Sequence, residues 1–248
     1  MAPRNVLLVG GTSEIALAVG RRLAADGPIR TYLLGRDRSR LQIAATALRA
    51  AGSETVDVDV VDAADLGVHD AVIARAFELS GGFDLVVLAV GILGAQEALD
   101  ADPKLATEVM QINFTGAGSL LLHCLRRLRD QGRGTIIVLS TVSAERPRAA
   151  NAIYAAAKAG FDALAQGLAD ASAGSGARVL VVRPGFVRTR MTEGLPPAPF
   201  ATTAEAVADA TARALTGSAQ TIWVPSYLRP IFAVLRHLPR RLWRRMAL

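Results

Sequence analysis

The sequence predicts an α/β domain: a doubly wound, seven-stranded parallel sheet flanked by helices. Three observations predict it. Seven short runs of apolar and β-branched residues recur along the chain, separated by Ala/Leu/Arg-rich stretches of helical period. The runs are largely apolar, as strands covered on both faces are. The chain has 248 residues, 51% apolar and 20% charged, which suits one large packed domain and excludes disorder. Strands joined through helices cross over right-handed, and such crossovers wind a sheet outward in two directions.

The runs lie at 6–9, 31–34, 55–61, 83–89, 135–139, 178–182 and 221–224. The first passes into Gly10-Gly11-Thr12-Ser13-Glu14-Ile15-Ala16, a strand-to-helix turn. Glycines let the backbone turn tightly and approach a pyrophosphate, and the helix start offers free N–H groups and partial positive charge. This makes the expected fold Rossmann-type. The second run ends in Leu34-Gly35-Arg36-Asp37. An acid at position 35 would bind a ribose diol; glycine followed by Arg36 instead favours a 2′-phosphate, and hence NADPH. An ordinary surface arginine fits Arg36 equally well. After the sixth run, Leu195-Pro196-Pro197-Ala198-Pro199 suits a loop over the carboxyl end of the sheet, where ligands bind. No linker divides the chain, so residues 1–228 are read as one domain and 229–248 as a basic extension of it.

The most specific local feature is Tyr154-Ala155-Ala156-Ala157-Lys158. Helical spacing of four puts both side chains on one face. A free phenol titrates near 10, too high for easy acid–base work, and a neighbouring ammonium favours its ionised form. Such a pair also arises by chance on exposed helices, so it needs context. Thirteen residues earlier stands Thr141, just after the fifth run, with Ser140 and Ser143 as neighbouring hydroxyls. Asn113 falls in an expected helix, where an amide is usually solvated or bonded locally.

With these residues in this order, the chain resembles the classical short-chain dehydrogenase/reductase family over nearly its whole length. The resemblance implies a nicotinamide cofactor, NADPH or NADH. It makes Tyr154 the proton donor or acceptor, Lys158 the group that lowers its pKa and holds the nicotinamide ribose, Thr141 the group that orients a carbonyl, and Asn113 the support of a water relay. It assigns the dinucleotide to Gly10, Thr12, Ser13, Glu14 and Ile15 in the first turn, Arg36, Asp59 and Val60 at the adenine, and Ala89, Val90 and Gly91 in the groove. Pro184, Gly185, Val187 and Thr189 follow on the nicotinamide side. The family has glycine where this chain has Glu14 and Ala16, and serine where it has Thr141. A carboxylate at 14 would repel a pyrophosphate, so the Glu14 side chain is expected to point outward.

Several segments resemble one branch, the decaprenylphosphoryl-2-keto-pentose reductases of actinobacterial cell-wall synthesis: residues 10–15, 144–151, 183–191 and 235–240. That branch has Glu14. It implies a polyprenylphosphoryl keto-sugar substrate, an FAD-dependent oxidase partner that makes the ketone, and decaprenylphosphoryl arabinose as product. The alternative is a reductase for another ketone, such as a 3-oxoacyl thioester. A non-catalytic dinucleotide-binding regulator is a third reading, against which the Tyr154/Lys158 pair argues.

Charge is unevenly placed. Beyond Leu228 stand six arginines and no acid, while the rest of the chain balances 22 bases with 22 acids. A neutral body with a basic tail suggests a local surface contact and not nucleic acid. Ile231, Val234, Leu235, Leu238, Leu242 and Met246 recur at helical spacings, broken at Pro239. Such a segment can lie in a membrane interface, giving a peripheral, cytoplasmic-face protein, or it can pack on a second copy or over the cleft. Arg146, Arg148, Arg188 and Arg190 flank the expected site and could hold a substrate phosphate, or be plain surface charges. No run is long enough to span a bilayer, and no signal peptide is expected at the start. With Cys124 as the one cysteine, no disulfide and no metal site is expected; Cys124 and Trp223 read as packing, His69 and His123 as surface or helix residues.

Overall fold

The computed structural model describes residues 4–196 and 198–245. β1 (Arg4–Val9) leads into α1 (Glu14–Asp26), whose start is capped by Ser13: its hydroxyl accepts from the Ala16 N–H. β2 (Ile29–Gly35) is followed by α2 (Arg38–Ala50), capped by the Asp37 carboxylate, then by β3 (Ser53–Val60) and α3 (His69–Ser80). β4 (Leu85–Leu88) opens onto α4 (Gln96–Ala101) and α5 (Pro103–Met110). A π-helical turn, Gln111–Gly116, joins α5 to α6 (Ala117–Asp130). β5 (Gly134–Leu139), the long helix α7 (Ala152–Ala171) and β6 (Ala177–Pro184) follow.

The sheet has seven strands in the order β3-β2-β1-β4-β5-β6-β9, with β9 at Thr221–Val224, and every neighbouring pair is parallel. All seven sequence runs are strands of it. The order reverses between β1 and β4, so their carboxyl ends diverge and leave a crevice there. Alternate residues of one strand serve two cores. Leu7 and Val9 join Phe83, Val86, Leu120 and Phe161 on the face covered by α3, α6 and α7, while Val6 and Leu8 join Leu33, Val87, Leu180 and Val182 on the other. Burial on both faces is why the runs do not alternate in polarity.

Two short strands, β7 (Val187–Arg188) and β8 (Thr202–Thr203), pair outside the main sheet. Two-residue strands leave no periodic signal, and the sequence reading missed them. The 195–199 loop lies between them, with Pro197 outside the described residues. α8 (Ala204–Leu215) packs beside α1.

The chain ends in α9 (Leu228–Leu235) and α10 (Arg240–Trp243), separated at Pro239 as its missing N–H requires. Leu228 and Phe232 are buried against Val142, with Trp223 and Ile231 alongside. Part of the arm's apolar face is thus spent on the body of the protein. Val234, 66% exposed, and Leu242 remain in solvent, and Met246 lies outside the described residues.

Candidate active site

The crevice is lined by three ends: the turn after β1, the segment after β4, and the segment after β5 facing α7. At the first, Gly10 takes φ +84°, and a Cβ there would stand 2.7 Å from the Ala89 carbonyl oxygen. Only glycine lets β1 and β4 approach so closely at their ends. Glu14 reaches across to the segment after β7. Its carboxylate accepts from the Arg190 backbone N–H at 2.7 Å, and the Arg190 guanidinium donates to the Thr12 carbonyl at 3.0 Å. The acid at helix position 14 therefore ties the first turn to the segment after β7.

After β4, Gly91 sits where a Cβ would lie 2.7 Å from Asn113 Oδ1 and 3.2 Å from Lys158 Nζ. The missing side chain leaves room for both groups beside the segment after β4. Asn113 corrects the sequence expectation. Its amide is neither solvated nor bonded only within its helix: Nδ2 donates to Ile92 O at 2.8 Å and to Val109 O at 2.9 Å, and Oδ1 accepts from Ile92 N at 3.1 Å. It is fully buried in the π-turn and fastens that turn to the segment after β4.

Lys158 is 4% exposed, and its ammonium donates to Val90 O at 3.1 Å and Leu139 O at 3.3 Å. Burial lowers its pKa to about 8, against a rise due to Asp162. Tyr154 lies one helical turn before it. Burial pushes that phenol up to about 12. The expected lowering of the Tyr154 pKa by Lys158 is therefore not found in the chain by itself: desolvation outweighs the neighbouring ammonium, whose charge is directed to two carbonyls.

Among the three hydroxyls, Ser140 is committed, donating to Asp162 Oδ2. Thr141 Oγ1 accepts from the Ser143 N–H at 3.2 Å, which leaves its proton free to face the crevice. Ser143 receives only a long 3.4 Å bond from Asn151. Thr141 is thus better placed than Ser140 to donate to a carbonyl.

Asp59 is held by Arg75 and, at 3.8 Å, by Arg38. It also accepts from the Val60 N–H at 2.8 Å. Arg36 is exposed, with no ion-pair partner among the described residues. Arg38, which the sequence reading passed over, is a second cation at the same edge. Pro184 closes β6, Gly185 N–H donates to Val224 O, and Val187 is buried. Thr189 N–H donates to Thr192 Oγ1 at 3.1 Å.

Two of the flanking arginines are already engaged. Arg146 donates to Arg236 O at 3.2 Å and Leu238 O at 2.8 Å, and its guanidinium carbon lies 5.3 Å from the Trp243 ring centroid. Trp243 in turn donates to Pro147 O at 3.0 Å. Arg146 fastens the C-terminal arm and Arg190 fastens Glu14, while Arg148 and Arg188 have no ion-pair partner among the described residues. His69 is a helix residue, the first of α3, and not a surface one. It is fully buried, with its ring nitrogens 2.9 Å from Ser119 Oγ and 3.0 Å from Asp62 O. His123 is half-buried beside Asp70, and Cys124 is buried in the core, as expected.

A family model described as short chain dehydrogenase matches residues 4–199. The chain belongs to the short-chain dehydrogenase family. This short-chain dehydrogenase is 44% identical over 241 residues to an uncharacterized oxidoreductase of Mycobacterium tuberculosis, covering 97% of this chain and 96% of that one. It is 43% identical to an uncharacterized oxidoreductase of Streptomyces coelicolor, with 98% and 96% covered. Among solved structures, levodione reductase superposes with a TM-score of 0.80 at 24% identity, covering 89% of this chain and 95% of that one. A variant of the actinorhodin polyketide ketoreductase with NADPH superposes at 0.78 and 24%, covering 90% and 95%. Both share the fold. The short-chain dehydrogenase is an oxidoreductase.

One group of residues around the site went unread in the sequence: Asp162, Arg183 and Glu145. The available signal was charge in the wrong place, an aspartate four residues after Lys158 and an arginine closing an apolar strand run.

Proposed function

We propose that this protein is a nicotinamide-dependent reductase whose substrate is the 2-keto group of a polyprenylphosphoryl pentose, with the arabinose epimer as product. The observation that carries the nicotinamide-dependent reading is the Tyr154/Lys158 pair one helical turn apart on α7, with the Lys158 ammonium held to the ends of β4 and β5. Reduction needs the phenol as acid, and a nascent alkoxide is the stronger base that takes its proton.

The residues fit a dinucleotide. A Cβ at Gly10 would stand against Ala89 and one at Gly91 against Asn113 and Lys158, so both positions need glycine, and the first turn opens a 13-residue helix. Gly10, Thr12, Ser13 and Ile15 would face the pyrophosphate, Asp59 and Val60 the adenine, Ala89 and Gly91 the groove, and Val187 and Thr189 the carboxamide. When bound, the dinucleotide supplies the hydride. Arg36 and Arg38 would favour a 2′-phosphate. The Thr141 hydroxyl orients the ketone oxygen towards Tyr154. The Lys158 ammonium, one helical turn from Tyr154, would stabilise charge as it develops on the phenol.

The polyprenylphosphoryl sugar is supported by the branch-specific segments and by the arm's chemistry. Six arginines and no acid beyond Leu228 suit an anionic lipid surface, at about 1 kcal/mol per arginine near it. Arg146 holds that arm beside the catalytic loop, so a lipid-borne ketone would meet the site from the same side.

The test supplies the purified protein with the keto sugar, made in place by a flavin oxidase from polyprenylphosphoryl ribose. NADH and NADPH run side by side, and the arabinose product is followed by chromatography. Product with either dinucleotide, lost in Tyr154→Phe, supports the reading. Dinucleotide binding with no product discards the sugar, and turnover of acetoacetyl thioesters would then assign an acyl substrate.

A further inference from the structure

Four ionisable side chains are packed together behind the crevice. Lys158 and Asp162 lie on α7, Arg183 ends β6, and Glu145 follows β5. Asp162 is 3% exposed and Arg183 8%. Arg183 donates to both Asp162 oxygens, from Nε at 2.9 Å and from Nη2 at 2.6 Å. Its Nη1 lies 3.5 Å from Glu145. Trp223 on β9 donates to Glu145, and the Arg183 guanidinium carbon lies 5.0 Å from its ring centroid. Gln166 donates to Asp162 Oδ1 at 2.6 Å, and Ser140 donates to Oδ2.

Two features set Asp162 apart from an ordinary structural ion pair. It accepts four hydrogen bonds from three elements, and one of them comes from the residue before Thr141. It also follows Lys158 by one helical turn, which puts both residues on the same face of α7. Lys158 makes no ion pair within 4 Å among the described residues: its ammonium meets two carbonyl oxygens and, on its own helix, the Phe161 ring with Nζ 5.3 Å from the centroid, and Asp162 is the one carboxylate whose charge acts on it. The cluster balances two cations with two anions, as buried charge requires.

We propose that Asp162 is the positioning residue of the catalytic pair: its carboxylate locks the end of β5 that carries Thr141 against α7, and it is the counter-charge of the buried Lys158. Arg183 and Glu145 hold Asp162 in place, and through Glu145 and Trp223 the same network reaches the strand on which the C-terminal arm is seated. The charged and titratable groups around Lys158 are Tyr154 and Asp162 from α7, Arg183 from β6 and Glu145 from the loop after β5. The end of β4 contributes only a carbonyl.

The chain has two lysines, Lys104 and Lys158, and Lys104 is exposed. Labelling lysine Cε with ¹³C therefore gives two resonances, one a built-in reference. Their pH titration reads Lys158 directly and needs no substrate, so its result stands apart from whether the keto sugar is reduced. In the wild type Lys158 should titrate near 8, below the ordinary lysine value, because it is buried. In Asp162→Asn it should fall by a unit or more while Lys104 stays put. Arg183 then lacks its partner and folding is put at risk, so Asp162→Asn/Arg183→Met is made as well; it removes one charge of each sign and keeps the cluster neutral. In any folded variant lacking the carboxylate, a lowered Lys158 titration supports the proposal. In Ser140→Ala, kcat should fall at least fivefold on the substrate that is turned over, with the Lys158 titration unmoved. An unmoved Lys158 resonance in the folded double variant, or unchanged kcat in Ser140→Ala, would overturn the corresponding half of the proposal.

Discussion

Gly91→Ala tests the packing of the site most directly. The glycine has no positive φ, so alanine suits its backbone and any effect comes from the added methyl group. That methyl would stand 2.7 Å from Asn113 Oδ1 and 3.2 Å from Lys158 Nζ, with Lys158 Cε at 3.4 Å. Asn113 cannot yield freely, because its amide makes three hydrogen bonds of 2.8–3.1 Å to Ile92 and Val109. Pushing it aside breaks at least one bond and leaves a buried group unpaired, which costs about 1–3 kcal/mol. For a domain of this size that lowers Tm by about 3–10 °C. Displacement of Lys158 adds a loss of dinucleotide affinity of roughly tenfold or more, equivalent to about 1.4 kcal/mol. Thermal melts followed by circular dichroism and dinucleotide titration by calorimetry read the two effects. Gly167→Ala is the control. It lies within α7, nothing stands within 4 Å of its added Cβ, and it should raise Tm by about 1–4 °C. Wild-type Tm and affinity in Gly91→Ala would refute the crowding argument.

Further outcomes follow from the same geometry. Turnover in the reductive direction should decline above about pH 8, because Lys158, lowered to about 8, loses its charge as pH rises through that value; a pH profile that stays flat to pH 10 would contradict this. Arg146→Ala removes two bonds to the arm and the guanidinium over Trp243. Trypsin should then cut at residues 240–245 several-fold faster, with the core fragment intact; equal cleavage rates would show that Arg146 does not hold the arm. Deletion after Pro230 should abolish sedimentation with anionic vesicles, and unchanged sedimentation would remove the lipid surface as the arm's partner. Cys124 is fully buried and its thiol pushed up to about 12, so it should resist thiol reagents at pH 8 until the protein is unfolded; rapid native labelling would count against a closed core.

The sequence alone determined the seven strands, because burial on both faces imposes unbroken apolar runs that local composition reveals. It determined the first turn and the Tyr154/Lys158 pair for a similar reason: each is a short-range pattern whose geometry follows from one turn or one helix. Tertiary structure decided what no local window contains. Asn113 reads as an ordinary helical amide until β4 brings Ile92 to it across 21 residues. Glu14 reads as a misfit until Arg190 arrives from 176 residues away. Spacing singles out Thr141 with Ser140 and Ser143 beside it, and only the arrival of Asp162 from α7 shows that Ser140 is committed elsewhere. The C-terminal arm shows the same limit. Its helical periodicity is legible, but whether an apolar stripe meets lipid or protein depends on the surface beside it, and Val142 supplies part of that surface. Periodicity and spacing are set by backbone geometry within a few residues; contacts between distant elements are set by how the whole core closes.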